Sequence, residues 1–174
     1  MTEKAEAFCR ELFAHAQVLL PLEESFREAV SLLSACFRKH GKLLVCGNGG
    51  SAADSEHIVG ELMKGFLLQR PLTQKERAAI AKTGCPEPEE FASNLQRGLP
   101  AISLVSQTAL LTAFLNDVKP DMIFAQQVFT YGQPGDVLLA LSTSGNSPNV
   151  VNAAYRRNLR TGYEPALRRS CGDG

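Results

Sequence analysis

Lys42-Leu43-Leu44-Val45-Cys46-Gly47-Asn48-Gly49-Gly50-Ser51 is the stretch on which the rest of the chain can be read. Its first half is a short apolar run that reads as a strand. Its second half is a glycine-rich turn, and residues 52–66 continue it as a helical stretch. A strand that feeds a turn and then a helix N-terminus makes a natural anion site. The first N–H groups of a helix lack intrahelical partners, and the helix dipole favours negative charge there. Gly49 and Gly50 can take positive φ and let a ligand approach the backbone. Asn48 and Ser51 add side-chain donors. Ser51 with Asp54 also reads as a capping box that fixes the helix start. The loop is not a Walker motif, since no Gly-Lys-Ser/Thr follows, and its glycine spacing is not that of a dinucleotide fingerprint.

The pattern recurs at Leu141-Ser142-Thr143-Ser144-Gly145-Asn146-Ser147-Pro148, after the apolar run Val137–Leu141. Ser147 is placed to cap the next helix, with Pro148 at its first position. One such loop alone is an ordinary βα turn with a capping serine. Two, each after an apolar strand, point to a ligand edge, because parallel strands bring their carboxyl-end loops to one side of the sheet.

Around these loops the order is strand then helix, three times. The second strand falls at 101–105, with a helix at 107–115 ending at Asn116-Asp117. Pro120-Asp121 starts a further helix at 122–131, and the last helix runs from 149 to about 157. The pattern predicts an α/β fold, a parallel sheet with helices on both faces and right-handed crossovers. Two helices precede the first strand. One spans 3–20, with Phe8, Leu12, Ala16 and Leu19 on one stripe. The other spans 22–39, with Phe26, Ala29, Val30, Leu33, Cys36 and Phe37 at helical spacing and Gly41 as its left-handed cap. They are suited to cover the sheet or to pair with a second subunit.

Residues 67–98 read as a helical insertion: a flap over the sheet edge or an interface element. Thr73 and Glu76 form a capping box before a helix at 74–82, and a second short helix follows at 88–96. Beyond Asn158 a further strand is expected, but the sequence there is short and polar. The reading is therefore a single domain over 1–174 whose C-terminal part is incomplete, as truncation, deletion or engineering would leave it.

Composition narrows the partners. The chain has 174 residues, 44% hydrophobic and 21% charged, which suits one soluble domain with a sizeable core. Lys plus Arg and Asp plus Glu are 18 each, so the formal net charge is zero, which argues against nucleic acid as the main partner. The apolar runs are too short to span a membrane and no signal peptide is visible, so a cytoplasmic location is expected. The five cysteines form no Cys-x-x-Cys pair and read as small buried hydrophobes.

Within the first loop's helix, His57 and Glu61 are four residues apart and share a face. Spacing alone leaves an ordinary polar pair, a metal-ligand pair and an acid/base pair all open.

Taken together, Gly47-Asn48-Gly49-Gly50-Ser51, the helix with His57 and Glu61, Asn116-Asp117 and Ser142-Thr143-Ser144-Gly145-Asn146-Ser147 resemble the sugar isomerase (SIS) domain family. The phosphoheptose isomerases are the most similar members, and the resemblance runs from about Phe8 to about Ala154. It implies that Ser142, Thr143, Ser144 and Ser147 bind a sugar phosphate. It implies that Asn48, Gly49, Gly50, Ser51, Asn116 and Asp117 contact substrate. His57 and Glu61 would be zinc ligands, with Glu61 also the catalytic residue acting on substrate. A homotetramer, or at least a dimer, with sites between subunits is implied too.

The implied chemistry interconverts sedoheptulose 7-phosphate and an aldose through an enediol. Moving a proton between adjacent carbons needs a base such as Glu61 and a group that stabilises the developing oxyanion. In the family a late helix adds a Gln and a His, yet no His follows His57 here. Two protein ligands fall short of the three that catalytic zinc usually takes. The alternative is a non-catalytic SIS module that binds phosphosugars or associates with a replication initiator. A third reading, an α/β domain for another anion such as a nucleotide, lacks an acidic ribose partner after the first loop.

Overall fold

The computed structural model describes residues 3–155. The sequence features at 156–174, including the missing strand and the end of the last helix, lie outside the described residues.

β1, Leu43–Gly47, is buried along its whole length and forms the centre of a parallel sheet ordered β2-β1-β3. β2 is Ala101–Ser103 and β3 is Val137–Leu141. A central parallel strand is covered on both faces, which is why β1 is a continuous apolar run rather than an alternating one. Leu44 and Cys46 point to one face and pack with Leu104, Ile123, Phe124, Val128, Val150 and Ala153. That layer is built by α6 (Thr108–Asp117), α7 (Ile123–Tyr131) and α8 (Pro148–Tyr155). Leu43 and Val45 point to the other face, with Cys36, Leu33, Ile58 and Leu62. That layer is built by α2 (Glu23–Arg38) and α3 (Gly50–Met63). Helices thus cover both faces, as the strand-helix order predicts.

β1 and β3 pair from Leu43↔Val137 to Gly47↔Leu141. Their carboxyl ends are level, so the two loops leave the sheet side by side. The opposite end is pinned by Asp136. Its carboxylate accepts the Lys42 N–H at 2.8 Å and the Gln133 N–H at 2.8 Å, and it pairs with the Lys42 ammonium.

The N-terminal helices differ from expectation in detail. α1 (Glu3–His15) ends ahead of the expected stop, and Gln17–Leu22 form a 3-10 turn that contains Pro21. A residue before proline disfavours the α region, so the turn tightens ahead of it. The buried side chains of α1 are Cys9 and Phe13, while Phe8 is exposed, so the true stripe lies one residue on from the expected one. Phe13 packs edge-on against Phe26 of α2 at 5.7 Å. The end of α2 also corrects the sequence reading. His40, not Gly41, takes the left-handed conformation at φ 60°. Gly41 N–H donates to Cys36 C=O at 2.9 Å and His40 N–H to Phe37 C=O at 3.2 Å, a Schellman closure. Gly41 is there for space: a Cβ would lie 2.7 Å from Gly135 O and 2.8 Å from Cys36 Sγ.

In the insertion, α4 (Gln74–Ala81) has the expected Thr73–Glu76 capping box, and α5 (Pro88–Ser93) is shorter than expected. The two pack chiefly on each other. Pro71 and Gln96 close the base of this hairpin with an antiparallel bridge.

Candidate functional site

α3 begins one residue before Ser51. Its cap is Gly49, at φ 55°, whose carbonyl accepts the Ala52 and Ala53 N–H groups at 3.0 and 3.3 Å. The expected capping box of Ser51 with Asp54 is therefore absent, because Ser51 already lies inside the first turn. Gly50 is helical too, so of the two glycines only Gly49 takes positive φ. Gly47 serves close approach instead. A Cβ there would lie 2.7 Å from both the Cβ and the carbonyl oxygen of Ser51. Gly47→Ala must push the first turn of α3 off the end of β1, an overpacking expected to cost about 2 kcal/mol. At Gly50 an added Cβ meets nothing within 4 Å, so Gly50→Ala should stay within about 0.5 kcal/mol of the parent. Urea unfolding of the two variants checks the contrast.

A feature that sequence reasoning missed sets how α3 lies on the sheet. Ser55 is fully buried; its hydroxyl reaches Val45 C=O at 3.2 Å and shares a 2.9 Å bond with Ser103 on β2. The signal was present as a serine inside the apolar run 101–105. With Ser55, Ile58, Val59 and Leu62 turned to the sheet, His57 is exposed and Glu61 half-buried. Glu61 Oε2 is shielded from solvent and has no hydrogen-bond partner among the described residues. Burying a carboxylate oxygen without a donor is costly, so this atom is ready to accept one.

The second loop turns through Gly145, at φ 65°. Ser142 Oγ lies 3.2 Å from Ser147 Oγ and 3.5 Å from Ser144 Oγ, and Ser144 Oγ accepts the Asn146 N–H at 3.2 Å. Thr143 is exposed beside them. Pro148 opens α8 as expected, but it is the Ser147 carbonyl that takes the Val150 and Val151 N–H groups, while its hydroxyl stays in the serine cluster. Hydroxyls gathered in front of a helix N-terminus form an uncharged cradle for an anion.

The first loop is joined to the helix that the second loop opens. Asn48 and Asn149 exchange amide hydrogen bonds in both directions, each 2.9 Å. Both line a cleft of about 460 Å³ with Gly47, Gly49, Leu115 and Asp121. Asn116 and Asp117 sit on the exposed last turn of α6 and bond each other, Asn116 Nδ2 to Asp117 Oδ1 at 2.6 Å. Leu115, rather than they, lines the cleft. Cys46, beneath the first loop, is no nucleophile: burial pushes its thiol up to about 12.

For zinc, the donor set can be counted. His57 and Glu61 would provide two ligands, and among the described residues no group of three His, Cys, Asp or Glu comes together. The described residues thus do not complete a catalytic zinc site, which usually takes three.

In open α/β sheets ligands bind in the crevice outside the carboxyl ends of the strands, which is where both helix-opening loops lie. Comparison with known proteins makes this specific. The profile of the SIS domain matches residues 8–85 and 78–160, and the chain belongs to the SIS domain family. It is 39% identical over 140 residues to the phosphoheptose isomerase of Azoarcus sp., covering 80% of this chain and 58% of that one. Identity with the Desulfovibrio desulfuricans phosphoheptose isomerase is 37% over 148 residues, with the same coverage. Among solved structures, the Francisella tularensis phosphoheptose isomerase superposes with a TM-score of 0.64 at 27% identity, covering 94% of this chain and 74% of that one. The Neisseria gonorrhoeae phosphoheptose isomerase gives 0.59 at 31% identity, covering 88% and 66%. The chain spans somewhat over half the length of the curated relatives it matches.

Proposed function

We propose that the chain binds a sugar phosphate, sedoheptulose 7-phosphate, and takes part in its aldose–ketose isomerisation through an enediol. The observation that carries this reading is the joining of the first anion loop to the helix that the second opens at the same sheet edge, with Glu61 on the helix that leaves the first. The phosphate goes to Ser142, Thr143, Ser144 and Ser147, and the sugar to Asn48, Gly49, Gly50 and Ser51. Asn116 and Asp117 approach the sugar once it is bound. Glu61 takes the proton from one carbon and returns it to the next, and a positioned acid/base of this kind contributes typically about 10²–10⁴-fold. A zinc ion on His57 and Glu61 would polarise the carbonyl, and it requires a further ligand from outside the described residues.

The same reading includes a cytoplasmic homo-oligomer. Its support is the apolar surface of the N-terminal segment, where Val18 is 85% exposed beside Leu20, Leu22 and Phe26. No helix among the described residues is long and apolar enough to cross a membrane.

Thermal unfolding with inorganic phosphate and with sedoheptulose 7-phosphate tests the proposal. A ligand bound only by the native state raises Tm by mass action. The sugar phosphate is expected to raise Tm at concentrations where phosphate alone has little effect. Equal shifts would reduce the site to a phosphate cradle and refute the sugar reading. Binding without turnover would favour the regulatory module.

A further inference from the structure

We infer that Asn149 is a positioning residue for the sugar: it fixes which way the Asn48 amide faces. The inference rests on the proposed sugar-phosphate function.

Asn48 stands between the end of β1 and Gly49 at positive φ. An exposed asparagine in such a loop can rotate its amide and present either the oxygen or the NH₂ group to a ligand. Here that freedom is removed. Asn48 Nδ2 donates to Asn149 Oδ1, and Asn149 Nδ2 donates to Asn48 Oδ1, each at 2.9 Å. Two antiparallel amide bonds form a closed ring, and because the Val150 N–H fixes Asn149 Oδ1, only one orientation of Asn48 satisfies it. Outside the ring Asn48 keeps one N–H and one oxygen lone pair, while Asn149, whose oxygen also takes the Val150 N–H, keeps one N–H. Those remaining groups adjoin the cleft, which both residues line. Those of Asn48 are a matched donor and acceptor, the pair a vicinal diol can answer.

Asn149 is itself anchored. It lies at the start of α8, one residue past Pro148, and its Oδ1 also accepts the Val150 N–H at 3.0 Å. Val150 is buried in the core. The orientation of Asn48 is thereby referred to the helix that the serine loop opens. The sugar contact on β1 and the phosphate cradle on β3 become one rigid unit. Asn149 acts through Asn48 rather than on the reacting atoms.

The test is a double-variant cycle on the full chain, read by calorimetric binding of sedoheptulose 7-phosphate and of inorganic phosphate. Asn149→Ala is expected to weaken the sugar phosphate about tenfold and leave phosphate within about twofold, since the serine cluster does not use the Asn149 side chain. Asn48→Ala should give a similar loss. The double variant should be no worse than about tenfold, because residues acting as a unit are not additive. A hundredfold additive loss would mean that the two asparagines act independently and would overturn the inference. An equal loss of phosphate affinity in Asn149→Ala would assign the residue to the α8 turn instead, and overturn it too. Unchanged sugar-phosphate binding by that variant defeats this inference alone. A parent chain that binds phosphate but no sugar phosphate defeats the proposed function and this inference with it.

Discussion

Glu61→Gln is expected to lower isomerisation of sedoheptulose 7-phosphate by about three orders of magnitude, within the range a positioned general base supplies. Gln keeps the size and shape of Glu, so packing on α3 should be nearly unchanged. What it loses is the ability to take a proton. Glu61 Oε2 is sequestered without a partner among the described residues, so its substitution breaks no hydrogen bond recorded for that atom. Sugar-phosphate affinity should stay within a few-fold, because binding is assigned mainly to the two loops. Steady-state rates and calorimetric binding of the same preparation separate the two effects. A variant that retains a tenth or more of the parent rate would remove Glu61 from the mechanism.

The second large effect concerns stability. Asp136→Ala is expected to destabilise the fold by roughly 3 kcal/mol, the scale on which a buried, multiply bonded carboxylate is missed. Asp136 is 5% exposed, and its carboxylate satisfies two main-chain N–H groups, of Lys42 and Gln133, besides the Lys42 ammonium. Removing it leaves these donors without their acceptor just where β1 and β3 begin their pairing. Asp136→Asn keeps one acceptor oxygen but turns an NH₂ toward a donor, so it should fall between parent and alanine. Urea unfolding measures both. A loss below about 1 kcal/mol for the alanine variant would show that water replaces the carboxylate at little cost.

How much of this was legible beforehand depends on the kind of signal. The parallel sheet was legible because β1 and β3 are apolar on both faces and end in glycine-rich or serine-rich turns. β3 matches its expected bounds, and β1 begins at Leu43, one residue after the expected Lys42. The Thr73–Glu76 box was legible because a capping box is a local pattern with a local cause. The Ser51–Asp54 box was the same pattern without the same outcome. Gly49 can adopt a conformation that starts the helix earlier, and no local rule weighs that against a serine. Gly41 misled for the opposite reason. A glycine after a helix usually supplies positive φ, but here contact with Gly135 and Cys36 demands a missing side chain, and His40 takes the strain.

Long-range pairs were beyond sequence reading altogether. Ser55 with Ser103 and Asn48 with Asn149 join residues 48 and 101 positions apart. Nothing in either neighbourhood announces the partner. The candidate site residues came from family resemblance, which says nothing of their mutual arrangement: the structure joins Asn48 to α8 and leaves Asn116 and Asp117 paired to each other.

The central claim, enediol chemistry at Glu61 on a sugar phosphate gripped by two uncharged loops, is tested most directly by proton exchange. Sedoheptulose 7-phosphate is incubated with the full chain in heavy water, with zinc supplied, and followed by NMR. The account predicts an aldose product and deuterium at the carbon that exchanges its proton, both lost in Glu61→Gln. A sugar phosphate that binds, yet shows neither exchange nor conversion, would contradict isomerase chemistry and leave the chain as a binding module.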